Sequence, residues 1–459
     1  METRSLKFVA EACAAELRQG SGDICVQHVC TDSRQAKSGD LFIAIKGERF
    51  DGHDFLDAVA AKGVGAVVVE QQKVPAQLSN CGVLVVDNTR VALGRLAAAY
   101  RRGFDMPVIA VGGSNGKTTV KELIASVLRQ KLATLWSESS FNNDIGVPLT
   151  LLRLEMSHQV ALLEVGTNHP GELAPLMEMI RPKHGVITNI GREHLEFFGD
   201  VAGVALEEGT LAESLPTDGK LFVNGDNDWT DLIVRRTHAT VVRVGLGKKN
   251  DWRGKGIRLD KNGATFRVEG PKAEFNGEYR VNLLGRHQVI NALFAVAVSE
   301  ELGLGRPAVR DGLAECKPAK SRLQFWETNG VRVLDDSYNA NADSTVAALE
   351  TLRDLPLQGR RVAVLGDMAE LGAQSEAAHG EVGRRSAELG IGQLFAIGKM
   401  APVTAAAARE AGLSRVIEFA DVESAAKAVK NFVKAGDVVL LKASRVSRLE
   451  RIAETLKSG

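Results

Sequence analysis

Five cysteines in 459 residues, Cys13, Cys25, Cys30, Cys81 and Cys316, are too few and too scattered to organise a fold. Their number is odd and no two stand in a Cys-x-x-Cys pair, which argues against disulfide staples and a cysteine zinc site. Net charge is missing as well, since Lys plus Arg and Asp plus Glu both total 57. With no surplus of either sign, and no basic run carrying interleaved aromatics, the chain offers no footprint for nucleic acid. The opening stretch, "METRSLKFVAEACAAELRQG", scatters acids among its apolar positions and lacks the apolar core of a secretory leader. No later apolar run is long enough to span a bilayer. The expectation is a cytoplasmic protein with inert thiols, no nucleic-acid partner and no membrane span.

What the chain does have is length and alternation. Its 459 residues suggest about three domains, and a 44% apolar content can build their cores. Runs rich in β-formers alternate with helical patterns, the mark of α/β architecture, and no internal repeat is present. A first segment carries "TDSRQAKSGDLFIAIKG" and "GVGAVVVE" and closes near "LAAAYRRGFDMP", punctuated by Gly103 and Pro107. Strands are expected next in "VALLEVG", "HGVITNI" and "KLFVNGD", followed by the long helical pattern "HQVINALFAVAVSEELG". Beyond Pro318, "RVAVLGD", "QLFAIG", "RVIEFA" and "DVVLLKAS" read as strands between Ala-rich helices, a doubly wound arrangement. The expected domains are residues 1–104, 105–317 and 318–459. Although "VAVLGDMAELG" looks superficially like a dinucleotide turn, none of these turns has Gly-x-Gly-x-x-Gly, which weakens a nicotinamide reading.

The most informative stretch is "AVGGSNGKTTVKELIASVL". A short β-branched run precedes a glycine-rich turn, and Val120, Leu123, Ile124, Val127 and Leu128 then fall on one helical face. This is a strand, a loop and a helix. Backbone N–H groups of Gly113, Ser114, Asn115, Gly116 and Lys117 are expected to cradle phosphate, with the Lys117 ammonium on the terminal phosphates and Thr118 on magnesium. Thr119, next on the same helix, is expected to bind the nucleotide as well. The common P-loop spacing would put glycine at position 111, where this chain has Val111, so the loop is one residue shorter. The expected cofactors are ATP and Mg2+.

That short loop is the first of several motifs that, in their order, resemble the Mur ligases, a family of ATP-dependent amide ligases. The others are "TDSRQAKSGDLFIAIKGERFDGHDF", "FNNDIGVPLTLL", "LLEVGTNHPGEL", "NIGREHLEFFG", "LLGRHQVINALFA", "LDDSYNANADS", "VLGDMAELG" and "LLKASR". They cover essentially the whole chain. The resemblance implies three α/β domains: a small UDP-binding domain, a central P-loop ATPase-like domain and a C-terminal Rossmann-like doubly wound domain. "DSYNAN" with "TNHPGEL" implies the branch that joins D-alanyl-D-alanine to UDP-N-acetylmuramoyl-tripeptide, and a monomer is expected. Within the superfamily the alternative is a ligase of the folylpolyglutamate-synthesis type, against which the first domain argues. Outside it the alternative is a P-loop sensor or motor.

Making an amide in water is uphill, so ATP must first turn the carboxylate into an acyl phosphate. Phosphoryl transfer is mostly positioning and charge neutralisation, which calls for magnesium and cations rather than reactive side chains. Glu164 and His194 lie just past two expected strand ends, where open α/β sheets bind ligands, and are expected to hold a second magnesium. Magnesium prefers oxygen, so the metal role of His194 rests on the resemblance. By the same resemblance Asn291 and Gln288 contact adenine, Arg322 reaches the phosphates, Asp336 meets the ribose or supports domain closure, and Tyr338 and Asn339 lie along the nucleoside. Ser33, Arg34, Lys46 and Gly47 face the uridine nucleotide. Asn142, Asn143 and His169 face the peptide, and Lys442, Ser444 and Arg445 hold carboxylates or the incoming dipeptide. Fourteen residues after His194 the family carries a lysine, carbamylated in several members, and this chain has Glu208. A glutamate there is expected to be a permanently anionic, catalytic stand-in; the alternative is that Glu207 and Glu208 form a solvated helix face.

Overall fold

The computed structural model describes residues 1–356 and 358–458. They group into two compact units: Met1–Ala110 with Leu132–Gly166 and Glu172–His184, and Val111–Lys131 with Thr167–Gly171 and everything from Gly185 on.

In the first unit, continuous apolar runs such as "GVLVV" and "AVVVE" become strands buried on both faces, as parallel sheets require. The sheet order is Glu16–Gln19, Gly82–Val86, Ala66–Glu70, Leu41–Ile43, Val29–Cys30, antiparallel only at the first pair. Phe42, Val67, Val69, Val83 and Val85 pack against Leu56 and Val59. The helix Thr89–Arg101 starts at Asn88, whose side chain accepts from the Val91 N–H. At its end the buried Arg101 guanidinium donates to the carbonyls of Ile180 at 3.0 Å, Phe104 at 2.5 Å and Met106 at 3.5 Å. It thereby fixes the exit at Gly103 and Pro107 that leads into the strand Val108–Gly112. The strands Thr134–Trp136 and Val160–Glu164 pair in parallel within this unit.

In the second unit the helices Lys117–Leu128, Gln288–Glu301 and Arg306–Glu315 pack together. All five positions of the expected helical face, from Val120 to Leu128, are fully buried. The strands run in the order Gly277–Val281, Gly263–Glu269, Trp252–Asp260, Thr240–Gly245, Lys220–Asn224, His184–Ile187. The three strands between Trp252 and Val281 form an antiparallel meander that the sequence pattern does not announce. A separate six-stranded sheet follows, ordered Gln324–Thr328, Val331–Asp336, Val438–Lys442, Arg361–Gly366, Gln393–Ile397, Val416–Phe419. The last four are the strands expected beyond Pro318, and they are parallel. On one face, Ala425, Val429, Ile452 and Leu456 of the helices Val422–Phe432 and Glu450–Lys457 cover Val333, Val364 and Val439.

Replacing Arg101 with alanine strips three carbonyls of a charge-assisted partner at once. Arg101→Ala is expected to lower the unfolding free energy by about 2–4 kcal/mol, read as a shift in the urea midpoint. An unchanged midpoint would mean water replaces the guanidinium at no cost.

Candidate active site

The chain leaves the strand Val108–Gly112 through Gly113 at φ +109° and enters the helix through Gly116 at φ +86°. A Cβ on Gly113 would lie 2.5 Å from the Thr188 hydroxyl, so only glycine fits this turn. Three loop amides are taken from within the fold. Glu208 Oε2 accepts the Gly113 N–H at 2.7 Å, the Asn189 carbonyl accepts Ser114 at 2.9 Å, and Asn189 Oδ1 accepts Asn115 at 2.8 Å. Of the five amides expected to cradle phosphate, those of Gly113, Ser114 and Asn115 thus have acceptors within the fold, whereas an α-helix leaves the amides of its first turn without intrahelical acceptors.

The Lys117 ammonium folds back over this loop, donating to the carbonyls of Gly113 and Ser114 and to Glu193 Oε2 at 3.3 Å. Glu193 is buried, and its Oε2 also stands 4.0 Å from His194 Nε2. The other imidazole nitrogen, Nδ1, is 2.5 Å from Glu370 Oε2, and this bond holds the Glu370 carboxyl below the usual carboxylate range. A carboxylate on the far nitrogen is how metal-bound histidines are commonly oriented.

Glu208 is fully buried, and its Oε1 has no hydrogen-bond partner among the described residues. Burial pushes its carboxyl up to about 7, with Glu193 and Glu207 adding to the rise and Lys117 and the Gly113 amide opposing it. In the ligand-free protein, burial therefore favours the protonated form of Glu208 over the permanent anion expected from the sequence. The solvated helix face is excluded too, because Glu207 is buried and takes the Gly171 N–H at 2.8 Å. Of the residues expected to hold magnesium, the buried Thr118 hydroxyl and the buried Glu164 carboxyl are hard oxygen donors that fit the ion, and the His194 nitrogen is the exception. No group of three or more His, Cys, Asp or Glu among the described residues could hold a metal alone. Phosphate oxygens and water would have to complete its shell, as magnesium prefers.

Asn291 donates to Gln288 Oε1 at 2.8 Å, and its own amide oxygen would lie 3.2 Å from a Cβ on Gly116. A small pocket, with room for no more than about a water, opens there, lined by Thr119, Glu122, Leu283, Gln288, Arg322 and Leu323. The Arg322 guanidinium lies 4.1 Å over the Tyr338 ring. Asp336 accepts the Leu323 N–H at 3.1 Å and the Lys442 ammonium at 2.5 Å. Lys442 and Ser444, expected on a ligand-facing loop, are both buried. Lys442 is spent on Asp336 and the Asn339 carbonyl, and Ser444 donates to the Ala340 carbonyl and accepts from the Ala369 amide. Arg445 is exposed, 3.4 Å from Glu450. His169 is exposed with its ring 4.1 Å from that of Phe197.

Residues the sequence reading missed tie the P-loop region to the C-terminal sheet. Asn341 donates to Asn115 Oδ1 at 2.9 Å while its own side chain caps the helix Ala342–Asp354. Arg192 donates through its backbone and guanidinium to Asp343 and through its guanidinium to Glu381, at 2.5–3.1 Å. The only signal in the sequence was that each sits inside a quoted motif, or beside one.

The remaining expected residues lie in the first unit. Arg34 forks onto Asp32 at 2.9 and 2.7 Å, pulling that carboxyl down to about 2. The Ser33 carbonyl accepts from Lys62, the backbones of Lys46 and Asp51 form an isolated antiparallel bridge, and the Gly47 N–H bonds the carbonyl of Phe50, whose ring is exposed. Asn142 donates to the buried Glu164 at 3.0 Å, and Asn143 Oδ1 caps the N–H groups of Ile145 and Gly146.

A shortened P-loop, a buried carboxylate cluster around its lysine and a parallel-sheet body closing on both define a class of ATP-using α/β ligases. The Mur ligase middle domain matches residues 111–299, the Mur ligase glutamate ligase domain residues 321–445, and the Mur ligase family catalytic domain residues 26–101. The chain belongs to the Mur ligase family. It is 38% identical over 447 residues, 95% of each chain, to the UDP-N-acetylmuramoyl-tripeptide--D-alanyl-D-alanine ligase of Escherichia coli K12. Among solved structures it matches MurF from Acinetobacter baumannii with a TM-score of 0.91 at 32% identity over 100% of both chains. It also matches the MurF ligase of Thermotoga maritima in complex with ADP, with a TM-score of 0.82 at 27% identity, over 94% of this chain and 97% of that one.

The Glu208 carboxyl supplies a pH test. Folding raises it from 4.5 to about 7, so the folded protein keeps a proton that the unfolded chain releases between those values. The resulting stabilisation is complete below the unfolded value and is lost as pH rises through the folded one. Thermal melts of the ligand-free protein should show wild type losing ground to Glu208→Gln between about pH 4.5 and about pH 7. Parallel curves would mean Glu208 does not titrate there.

Proposed function

We propose that this chain is the ATP-dependent ligase that adds D-alanyl-D-alanine to UDP-N-acetylmuramoyl-tripeptide, forming ADP and phosphate by way of an acyl phosphate. The observation that carries this reading is full-length similarity to a ligase of that name, 38% over 95% of each chain, joined to a P-loop lysine ringed by buried carboxylates. In this reading residues 1–104 bind the UDP end through Ser33, Arg34, Lys46 and Gly47, residues 105–317 bind ATP, and residues 318–459 close over it. The protein works as a monomer in the cytoplasm, and no helix among the described residues is long and apolar enough to cross a membrane.

Lys117 swings from the loop carbonyls and Glu193 to the terminal phosphates, where its charge counts most as the phosphoryl group transfers. Thr118, Glu164 and His194 would hold magnesium, which neutralises phosphate charge when bound. Asn291 and Gln288 read the adenine edge, with Arg322, Asp336, Tyr338 and Asn339 along the ribose and phosphates. Asn142, Asn143, His169 and Arg445 remain the candidates for the peptide and dipeptide. Assembly of the site from separate domains excludes the water that would hydrolyse an acyl phosphate.

ADP release should require both the UDP-linked tripeptide and D-alanyl-D-alanine; turnover without either would sink the assignment. Lys117→Ala is expected to abolish ADP formation while UDP-tripeptide binding, followed by calorimetry, persists. Asn291→Ala should raise the KM for ATP far more than that for the dipeptide, and equal changes would place adenine elsewhere.

A further inference from the structure

The His194 imidazole is held from the far side by a residue 176 positions later in the chain, and the contact is too elaborate to be a passing surface pair. His194 and Glu370 both have left-handed backbones without being glycine, at φ 49° and 60°. Such conformations persist where the surroundings over-determine them, and here the two residues face each other. Glu370 is engaged twice. Its carboxylate is 2.5 Å from His194 Nδ1, and its carbonyl accepts the Glu196 N–H at 3.0 Å in the short helix that His194 caps. The turn beyond it is fitted closely to the same helix. A Cβ on Gly372 would lie 3.0 Å from the Glu196 Cα, and Gln374 donates to the Gly199 carbonyl at 3.2 Å.

A carboxylate has no proton to give, so in a neutral imidazole the ring proton must sit on Nδ1. That leaves the lone pair on Nε2, the nitrogen on the Glu193 side. From this geometry we infer that Glu370 is a positioning residue for the ligase reaction: it fixes the tautomer and ring plane of His194, so that the imidazole is competent only when the turn at residues 369–372 is docked. Glu370 touches neither nucleotide nor peptide in this scheme, and acts through His194 alone. The inference rests on the role proposed for His194, but the placement of the proton does not. Losing such an orienting carboxylate costs roughly 10- to 100-fold in activity or ligand affinity at comparable sites.

The test uses full-length protein labelled with 15N-histidine, without ligand, at about pH 8.5, two units above an ordinary imidazole. The His194 resonances are assigned by their absence in His194→Gln. Wild type should carry the ring proton on Nδ1, and Glu370→Ala should lose that preference. Its kcat should fall roughly 10- to 100-fold, while the KM for D-alanyl-D-alanine stays near the wild-type value. Glu370→Gln keeps an acceptor in the same place, so it should retain the tautomer and recover much of kcat, even if the alanine variant disturbs the turn. A proton on Nε2 in wild type, or an Nδ1–H tautomer that survives in Glu370→Ala, would overturn the inference. So would wild-type kcat in a variant whose tautomer is lost. Failure of wild type to turn over the two substrates would reject the proposed reaction, while the spectra would still decide where Glu370 places the proton.

Discussion

The loop at Gly113 must leave a buried strand and deliver a lysine to the start of a helix within four residues, and the hydrogen bonds beneath it make that possible. Glu208 takes one amide and Asn189 takes two, so the backbone is clamped from within before any anion arrives. A loop held this way keeps its shape without ligand, which lowers the ordering cost of binding phosphate. The clamp has its own cost. It buries a carboxyl beside a site meant for anions, and the protein answers by letting that carboxyl keep its proton to about pH 7.

The C-terminal sheet meets the clamped loop through polar contacts. Arg192 shares its guanidinium between Asp343 and Glu381, and Asn341 reaches Asn115. Charge-assisted contacts of this kind are directional, and these are part-buried, so they fix the register in which the sheet meets the loop. Lys442 and Asp336, by contrast, are buried together inside the C-terminal body, where parting them would leave an uncompensated charge.

The P-loop could be read from the sequence because its signal is local: glycines where φ is positive, a β-branched strand before them and a one-sided helix after. The parallel strands beyond Pro318 were legible for the same reason. The meander between Trp252 and Val281 was not, since its exposed residues interrupt the apolar pattern. Asn341 acts on Asn115, 226 positions away, and no local pattern records such a pairing. Lys442 and Ser444 look like loop residues by composition, yet they end and follow a strand covered on both faces, so they turn inward. Glu208 was noticed only as a departure from a resemblance; that it lies beneath Gly113 depends on how helix and strand pack.

The posture of Lys117 bears on which anions the enzyme ignores. Its ammonium is already engaged by two carbonyls and Glu193, so an incoming ligand must displace three acceptors before it gains the charge. Free phosphate offers too few additional contacts to offset that exchange, whereas a nucleotide brings its base and ribose as well. The same acceptors remain in place to recapture the ammonium when the spent nucleotide departs. A lysine neutralised in this way selects against anions that bring too few contacts of their own.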